Sequence, residues 1–380
     1  MAFCVFDLRL VLAYDARLPL DVAVRRLTSM KYFSLSILAG ACVASALLLV
    51  GTSAAAQDVD DFEDWQVAEM ASLVNAVTAA RMGESIVGED PVQVLPSFMK
   101  GQDGNTYAPY TLTLGSSAVT KANIVTYIAV AAAGETPDAD GALPELPFED
   151  AFYSPVAGGA EGIRLNRALQ APGGEYDVYV AIRDSEDGDA PIERVINPRT
   201  GQPQAVAFAP KIILTRERVT IPDLWNDELQ TSTIFLADQI EPLTEPPTPE
   251  ELNLFPYTIG TTRIIPKLDS TYAKDGVLGF VFLIYNTGHD DGMPNVQVDY
   301  EFHQVTASGE DFFNRTAPQE LSNRTLPDIF DVTEGFQLVT GQNIPLASFP
   351  AGDYRLEIKV TDNEDSNEIT RDLLFTIEEG

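Results

Sequence analysis

The stretch Phe349–Asp362, FPAGDYRLEIKVTD, decides how this chain folds. In it Tyr354, Leu356, Ile358 and Val360 alternate with Asp353, Arg355, Glu357, Lys359 and Thr361, the two-residue period of a strand with one buried face. A polar turn over Asp362–Asn367 leads to Ile369, Leu373, Phe375 and Ile377, a second strand, so the two form a β-hairpin. Upstream, Pro172–Asp184 reads PGGEYDVYVAIRD and repeats the phrase: Pro, two small residues, an acid, Tyr, alternating apolar positions, Asp. A structural unit therefore occurs twice.

Working outward, Lys121–Ala133, KANIVTYIAVAAA, is a β-branched apolar run suited to a strand buried on both faces. Asp103-Gly104 between two apolar stretches signals a tight hairpin. Lys211–Ile221 closes the first unit, and Thr231–Leu236, Gly276–Asn286 and Asn295–Thr306 supply strands of the second. About seven strands per unit is the count of an immunoglobulin-like sandwich. Gly134–Gly162 reads as a long surface loop with a short-strand candidate near Phe148–Tyr153, and Asp184–Ala209 lacks strand periodicity and reads as an insertion. The prolines of Glu241–Pro256 exclude a central strand there and predict a stiff, irregular connection. Phe62–Met82 carries apolar residues at mixed three- and four-residue spacings and predicts a helix stopped near Gly83, packed on the first sandwich.

From Met30 the chain reads MKYFSLSILAGACVASALLLVGTSAAAQ: a basic start, an apolar run and a small-residue tract, the form of a signal peptide cleaved before Gln57. An uncleaved anchor over Phe33–Val50 is the competing reading, since that run is just long enough to span a bilayer. The expected organisation is an upstream extension and signal peptide over 1–56, an acidic segment and helix over 57–88, and β-sandwiches over 89–223 and 224–380. Both cysteines, Cys4 and Cys42, fall in the leader, so the mature chain has no disulfide framework and no thiolate ligand. A net charge of −33 repels nucleic acid and anionic lipid and favours solubility, divalent cations or basic partners.

An acid followed by Tyr at the head of a penultimate strand, Glu175-Tyr176 and Asp353-Tyr354, is similar to the tyrosine corner of immunoglobulin and fibronectin type III folds. Phrases such as SFMKGQDGNTYAPYTLTL, RVTIPDL, LQTSTIFLADQIEPL and LASFPAGDYRLEIKVTD resemble the sandwich regions of exported bacterial proteins described as von Willebrand factor A-related or GWxTD-domain proteins. The resemblance implies a structural scaffold for Tyr176 and Tyr354. It carries over no catalytic or metal residue, because neither Asp-x-Ser-x-Ser nor Gly-Trp-x-Thr-Asp is present.

The chemistry visible in the residues is sparse. No HExxH, GxSxG, Walker A or GxGxxG motif stands in a supporting context. His289 lies in the turn TGHDDG, and His303 follows an alternating strand, which places it on the exposed face. Calcium, which takes clustered carboxylates on loops, is the better metal candidate. Asp184, Asp187 and Asp189, with Glu186, form one cluster, and Asp362 and Asp365, with Glu364, form another at the equivalent place after the repeated strand. A solvated acidic turn accounts for both, so no cofactor is expected. These readings converge on a mainly β protein of two tandem immunoglobulin-like sandwiches behind a signal peptide and a short helix. It is expected to be exported to the periplasm or beyond, to be non-enzymatic, to serve an unknown protein or glycan partner, and to have no membrane span after cleavage. A carbohydrate-binding or carbohydrate-processing accessory protein is the alternative.

Overall fold

A computed structural model describes residues 62–84, 92–115, 117–156 and 162–379. The upstream extension, signal peptide and cleavage site expected over 1–56 lie outside the described residues. The chain is mainly β. It opens with helix α1 (Asp64–Arg81) and continues through β1 (Val92–Pro96), β2 (Met99–Lys100), β3 (Thr106–Leu114), β4 (Asn123–Ala132), β5 (Phe148–Pro155) and β6 (Ile163–Ala171). There follow β7 (Gly174–Asp184), β8 (Ile192–Ile196), β9 (Pro203–Ala207), β10 (Ile213–Ile221), β11 (Gln230–Thr231), β12 (Phe235–Pro242), α2 (Pro249–Leu254) and β13 (Thr258–Ile259). The remainder is β14 (Thr262–Pro266), β15 (Thr271–Ala273), β16 (Val277–Tyr285), β17 (His289–Asp290), β18 (Met293–Pro294), β19 (Val296–Thr306), β20 (Gly309–Arg315), β21 (Gln319–Leu321), β22 (Leu338–Pro345), β23 (Gly352–Asp362) and β24 (Asn367–Glu378). Contacts divide these elements into two compact units, 62–233 with 243–259, and 234–242 with 260–379.

In the first unit β1, β3 and β6 make one antiparallel sheet, and β5, β4, β7 and β10, in that spatial order, make another. Alternate residues of the two sheets meet in one core: Tyr110, Leu112, Ile163 and Leu169 from one, Ile124, Ile128, Val178, Val180 and Ile182 from the other. The intervening residues Val125, Tyr127, Ala129 and Ala131 of β4 and Tyr179 and Ala181 of β7 are apolar too, because α1 covers that side. Val125, Tyr127, Ala129, Tyr179 and Ala181 pack against Leu73, Val77 and Ala80 of the helix. The run Lys121–Ala133 is continuous rather than alternating for this reason. The helix starts with a capping box between Glu63 and Gln66 and ends at Met82, just before Gly83 at φ 94°. Asp103 and Gly104 sit at φ 51° and 79°, two successive positive values that close the tight turn between β2 and β3.

Two segments differ from the sequence reading. Asp184–Ala209 contains the hairpin β8–β9, whose Ala207 joins Ala68 and Ala190 in a small cluster against α1. The proline-rich stretch after Glu241 contains α2, held by Thr248, whose Oγ1 accepts the Glu251 amide at 3.2 Å while Glu251 returns a bond to the Thr248 amide, with Pro249 at the first helical turn. Around it, Arg167 donates to the Asn253 carbonyl at 2.7 Å and the Tyr257 hydroxyl meets Thr111 at 3.0 Å, so this segment lies on the outer side of the β3–β6 sheet.

The second unit repeats the strand order: β12, β16 and β22 in one sheet, β20, β19, β23 and β24 in the other. Phe280 of β16 and Tyr300 of β19 meet across the core with ring centroids 5.7 Å apart, and Tyr354 stacks on Phe375 at 5.3 Å. Among the described residues no helix covers the outer face of the β20–β19–β23–β24 sheet, and from Tyr354 onward β23 alternates between buried and half-buried residues.

Tyr176 and Tyr354 stand at the heads of β7 and β23. Each hydroxyl donates to the carbonyl of a proline four residues earlier, Pro172 at 3.0 Å and Pro350 at 2.9 Å. The ring of Tyr354 is 1% exposed, so the bond ties the strand entrance while the ring fills the core. Tyr354→Phe retains the ring and leaves the Pro350 carbonyl unpaired, for an expected destabilisation of about 1–3 kcal/mol in denaturant unfolding. Tyr176→Phe is expected to act similarly on the first unit. Losses under about 0.5 kcal/mol for both, the size of an ordinary surface change, would show the ties to be dispensable.

Candidate functional site

Two of the acidic residues singled out from the sequence, Asp184 and Asp362, are engaged by backbone amides. Asp184, at the end of β7, accepts from the Thr120 amide at 3.0 Å, the Thr120 hydroxyl at 2.6 Å and the Lys121 amide at 3.2 Å. Asp362, at the matching end of β23 and fully buried, accepts from the Gly288 amide at 2.7 Å and the Glu364 amide at 3.0 Å. Both aspartates thus fasten the loop that enters the neighbouring strand. Asp187 sits at φ 49° with its carboxylate 3.3 Å from Asn123 Nδ2, and Asp189 and Asp365 are exposed. His289 Nδ1 accepts the Gly292 amide at 3.3 Å within its own turn.

Three side chains with metal-ligating atoms come together elsewhere, on the outer face of the second unit. The i, i+2 spacing of Glu301 and His303 on β19 puts both on one side of the strand, and the register places Glu357 of β23 directly opposite Glu301. Their ligand atoms all lie within 4.8 Å of one another. Sequence alternation placed His303 on an exposed face, yet its side chain is only 17% exposed. Phe312, its cross-strand partner on β20, stands edge-on with ring centroids 6.0 Å apart. His303 Nε2 is buried without a hydrogen-bond partner, and Glu301 Oε2 is 3.9 Å away. Arg355, opposite His303, reaches Glu310 at 2.9 Å, Glu357 at 2.8 Å and Asp372 at 2.7 Å. Hydrogen bonds to these three carboxylates raise the guanidinium further above its ordinary range. The Glu301–His303–Glu357 group was not found from the sequence, although E-x-H at strand spacing marks two of its members.

The first unit holds two polar clusters of its own. Arg183 and Glu69, both buried, approach to 3.7 Å beneath α1. Near the helix C-terminus, a cleft of about 230 Å³ is lined by Arg81, Pro144, Glu149 and Arg199 among others. The Glu149 carboxylate accepts from Tyr127, whose hydroxyl also accepts from Arg199, and Arg199 pairs with Glu149 at 2.9 Å. Burial pushes the Glu149 carboxyl up, but the Tyr127 hydrogen bond and the Arg199 guanidinium outweigh it and hold the group below its usual value. Arg81, paired with Glu135, also donates to the Pro144 carbonyl at 2.7 Å. These groups neutralise one another, and the cleft holds them as a structural network.

Among the described residues, no helix is long and apolar enough to cross a membrane. No family model matches the chain, and no curated protein matches it. Among solved structures the chain is similar to trypsin-activated alpha-2-macroglobulin from Escherichia coli, with 10% identity and a TM-score of 0.22, over 78% of this chain and 17% of that one.

Proposed function

We propose that the chain is an exported, non-enzymatic protein of two tandem immunoglobulin-like β-sandwiches, acting as an interaction or structural module in the periplasm or outside the cell. The observation that carries the reading is the repeated architecture. The strand paths β1–β3–β6 and β5–β4–β7–β10 of the first unit match β12–β16–β22 and β20–β19–β23–β24 of the second, and each unit ties a tyrosine hydroxyl at the head of its matching strand, β7 or β23. Sandwiches of this kind offer loops and sheet edges to protein or glycan partners. The strong negative charge supports a solvated, exported surface. Expression from the full gene followed by fractionation and intact-mass measurement tests export. The expected species begins at Gln57 in the exported soluble fraction, and a full-length product confined to the cytoplasm would refute the reading.

A further inference from the structure

Four carboxylates crowd the outer face of the second unit's sheet: Glu301, Glu310, Glu357 and Asp372, on four adjacent strands. Glu301, Glu357 and Asp372 are in cross-strand register, and like charges directly opposite one another destabilise a sheet. Two guanidinium groups stand among them. Arg355 takes Glu310, Glu357 and Asp372, and Arg315 is the cross-strand partner of Glu301 on β20. The four carboxylates outnumber the two guanidinium groups by two. Beside this excess lies a histidine nitrogen shut off from solvent, without a hydrogen-bond donor to satisfy it. A neutral imidazole nitrogen in that state is either a costly orphan or an electron-pair donor to a cation.

We propose that Glu301, His303 and Glu357 form a divalent cation site of the zinc type. Imidazole together with carboxylate selects a borderline ion over calcium or magnesium, which take oxygen ligands alone. Ligands of a tetrahedral zinc ion at about 2.0–2.2 Å lie roughly 3.5 Å apart. Closing the group from 4.8 Å to that separation is within the reach of a glutamate side-chain rotation, with no movement of the strands. Arg355 donates to one oxygen of Glu357, which leaves the carboxylate's second oxygen for the ion and makes Arg355 a positioning residue. Phe312 covers one flank of the imidazole, as the apolar wall of a site does. Three protein ligands leave a fourth position for water or for a side chain from outside. This site stands independently of the proposed role as an export module.

The test uses the tag-free, metal-stripped protein titrated with Zn²⁺, and with Co²⁺ as a spectroscopic probe. One zinc ion per chain is expected, with a cobalt absorption spectrum of low coordination number and a rise in unfolding temperature on zinc addition. His303→Gln and Glu301→Gln should each remove the stoichiometric event and the thermal shift while the metal-free circular dichroism spectrum and unfolding temperature stay those of the parent. His289→Gln, in the distant turn, should leave both intact. Zinc binding that survives His303→Gln and Glu301→Gln, or calcium that displaces zinc at equal concentration, would overturn the assignment, as would the absence of a stoichiometric event.

Discussion

Arg183→Met is expected to destabilise the first unit by about 3–5 kcal/mol, the range for stripping one partner from a buried ion pair. Arg183 follows the alternation of β7. Val178, Val180 and Ile182 enter the core between the sheets, and Tyr179, Ala181 and Arg183 lie on the side covered by α1. Its side chain is 0% exposed. It donates to the Ser72 hydroxyl and to the Ala207 and Phe208 carbonyls, each at 3.0 Å, and to the Asp184 carbonyl at 3.1 Å. The substitution orphans those acceptors at once, and it strands the Glu69 charge at 1% side-chain exposure. Glu69 keeps other partners, the Glu186 amide at 2.8 Å, the Ser185 hydroxyl at 2.9 Å and the Tyr153 hydroxyl at 3.1 Å, all of them uncharged donors. Adding Glu69→Gln to Arg183→Met removes the stranded charge and retains an accepting oxygen, so the double variant is expected to be more stable than Arg183→Met alone. Equilibrium denaturation of the three variants measures the cycle. A loss below about 1 kcal/mol for Arg183→Met would mean that water reaches the pair.

The strands with one clear face were legible from their residues. Tyr354, Leu356, Ile358 and Val360 turn inward while Arg355, Glu357, Lys359 and Thr361 stay polar and half-buried on the other side of β23, so burial is written directly into the alternation. The apolar run of β4 was legible for the opposite reason, since both of its faces are covered. Hairpin β8–β9 was not, because β8 has no buried face to impose a period: Ile192 and Ile196 are exposed alongside Glu193 and Arg194. Helix α2 is too short to show a period, and its signal lies in the cap, Thr248-Pro-x-Glu251. The grouping of Glu301, His303 and Glu357 depends on the register of β19 against β23, which the sheet sets and the spacing along the chain does not contain. The shielding of His303 depends on a further register, that of β19 with β20, where the pairing shifts between Phe302 and His303.

Leu73→Ala is expected to cost about 2–5 kcal/mol, and it tests whether α1 is part of the first unit's core rather than an appendage. Leu73 is 0% exposed and packs with Val77 and Ala80 on Val125, Tyr127, Ala129, Tyr179 and Ala181. The wall opposite it belongs to β4 and β7, both paired along their lengths on two sides, so the sheet has little freedom to collapse into the space a smaller residue leaves. That stiffness places the expected loss in the upper part of the range. The helix is also fixed from a second direction, with Ala68 against Ala190 and Ala207 of the insertion, which restricts any compensating slide along its axis. Val67→Ala, at a residue 36% exposed on the same helix, is expected to change stability by less than about 0.5 kcal/mol. Leu73 and Arg183 support the same helix on the same sheet, so their combined loss is expected to depart from the sum of the two, which separates a shared interface from two independent sites. Denaturant unfolding and hydrogen exchange of the β4 amides give the readouts. If Leu73→Ala behaved like Val67→Ala, the helix would not be docked in solution, and the apolar outer face of β4 and β7 would have to meet another surface.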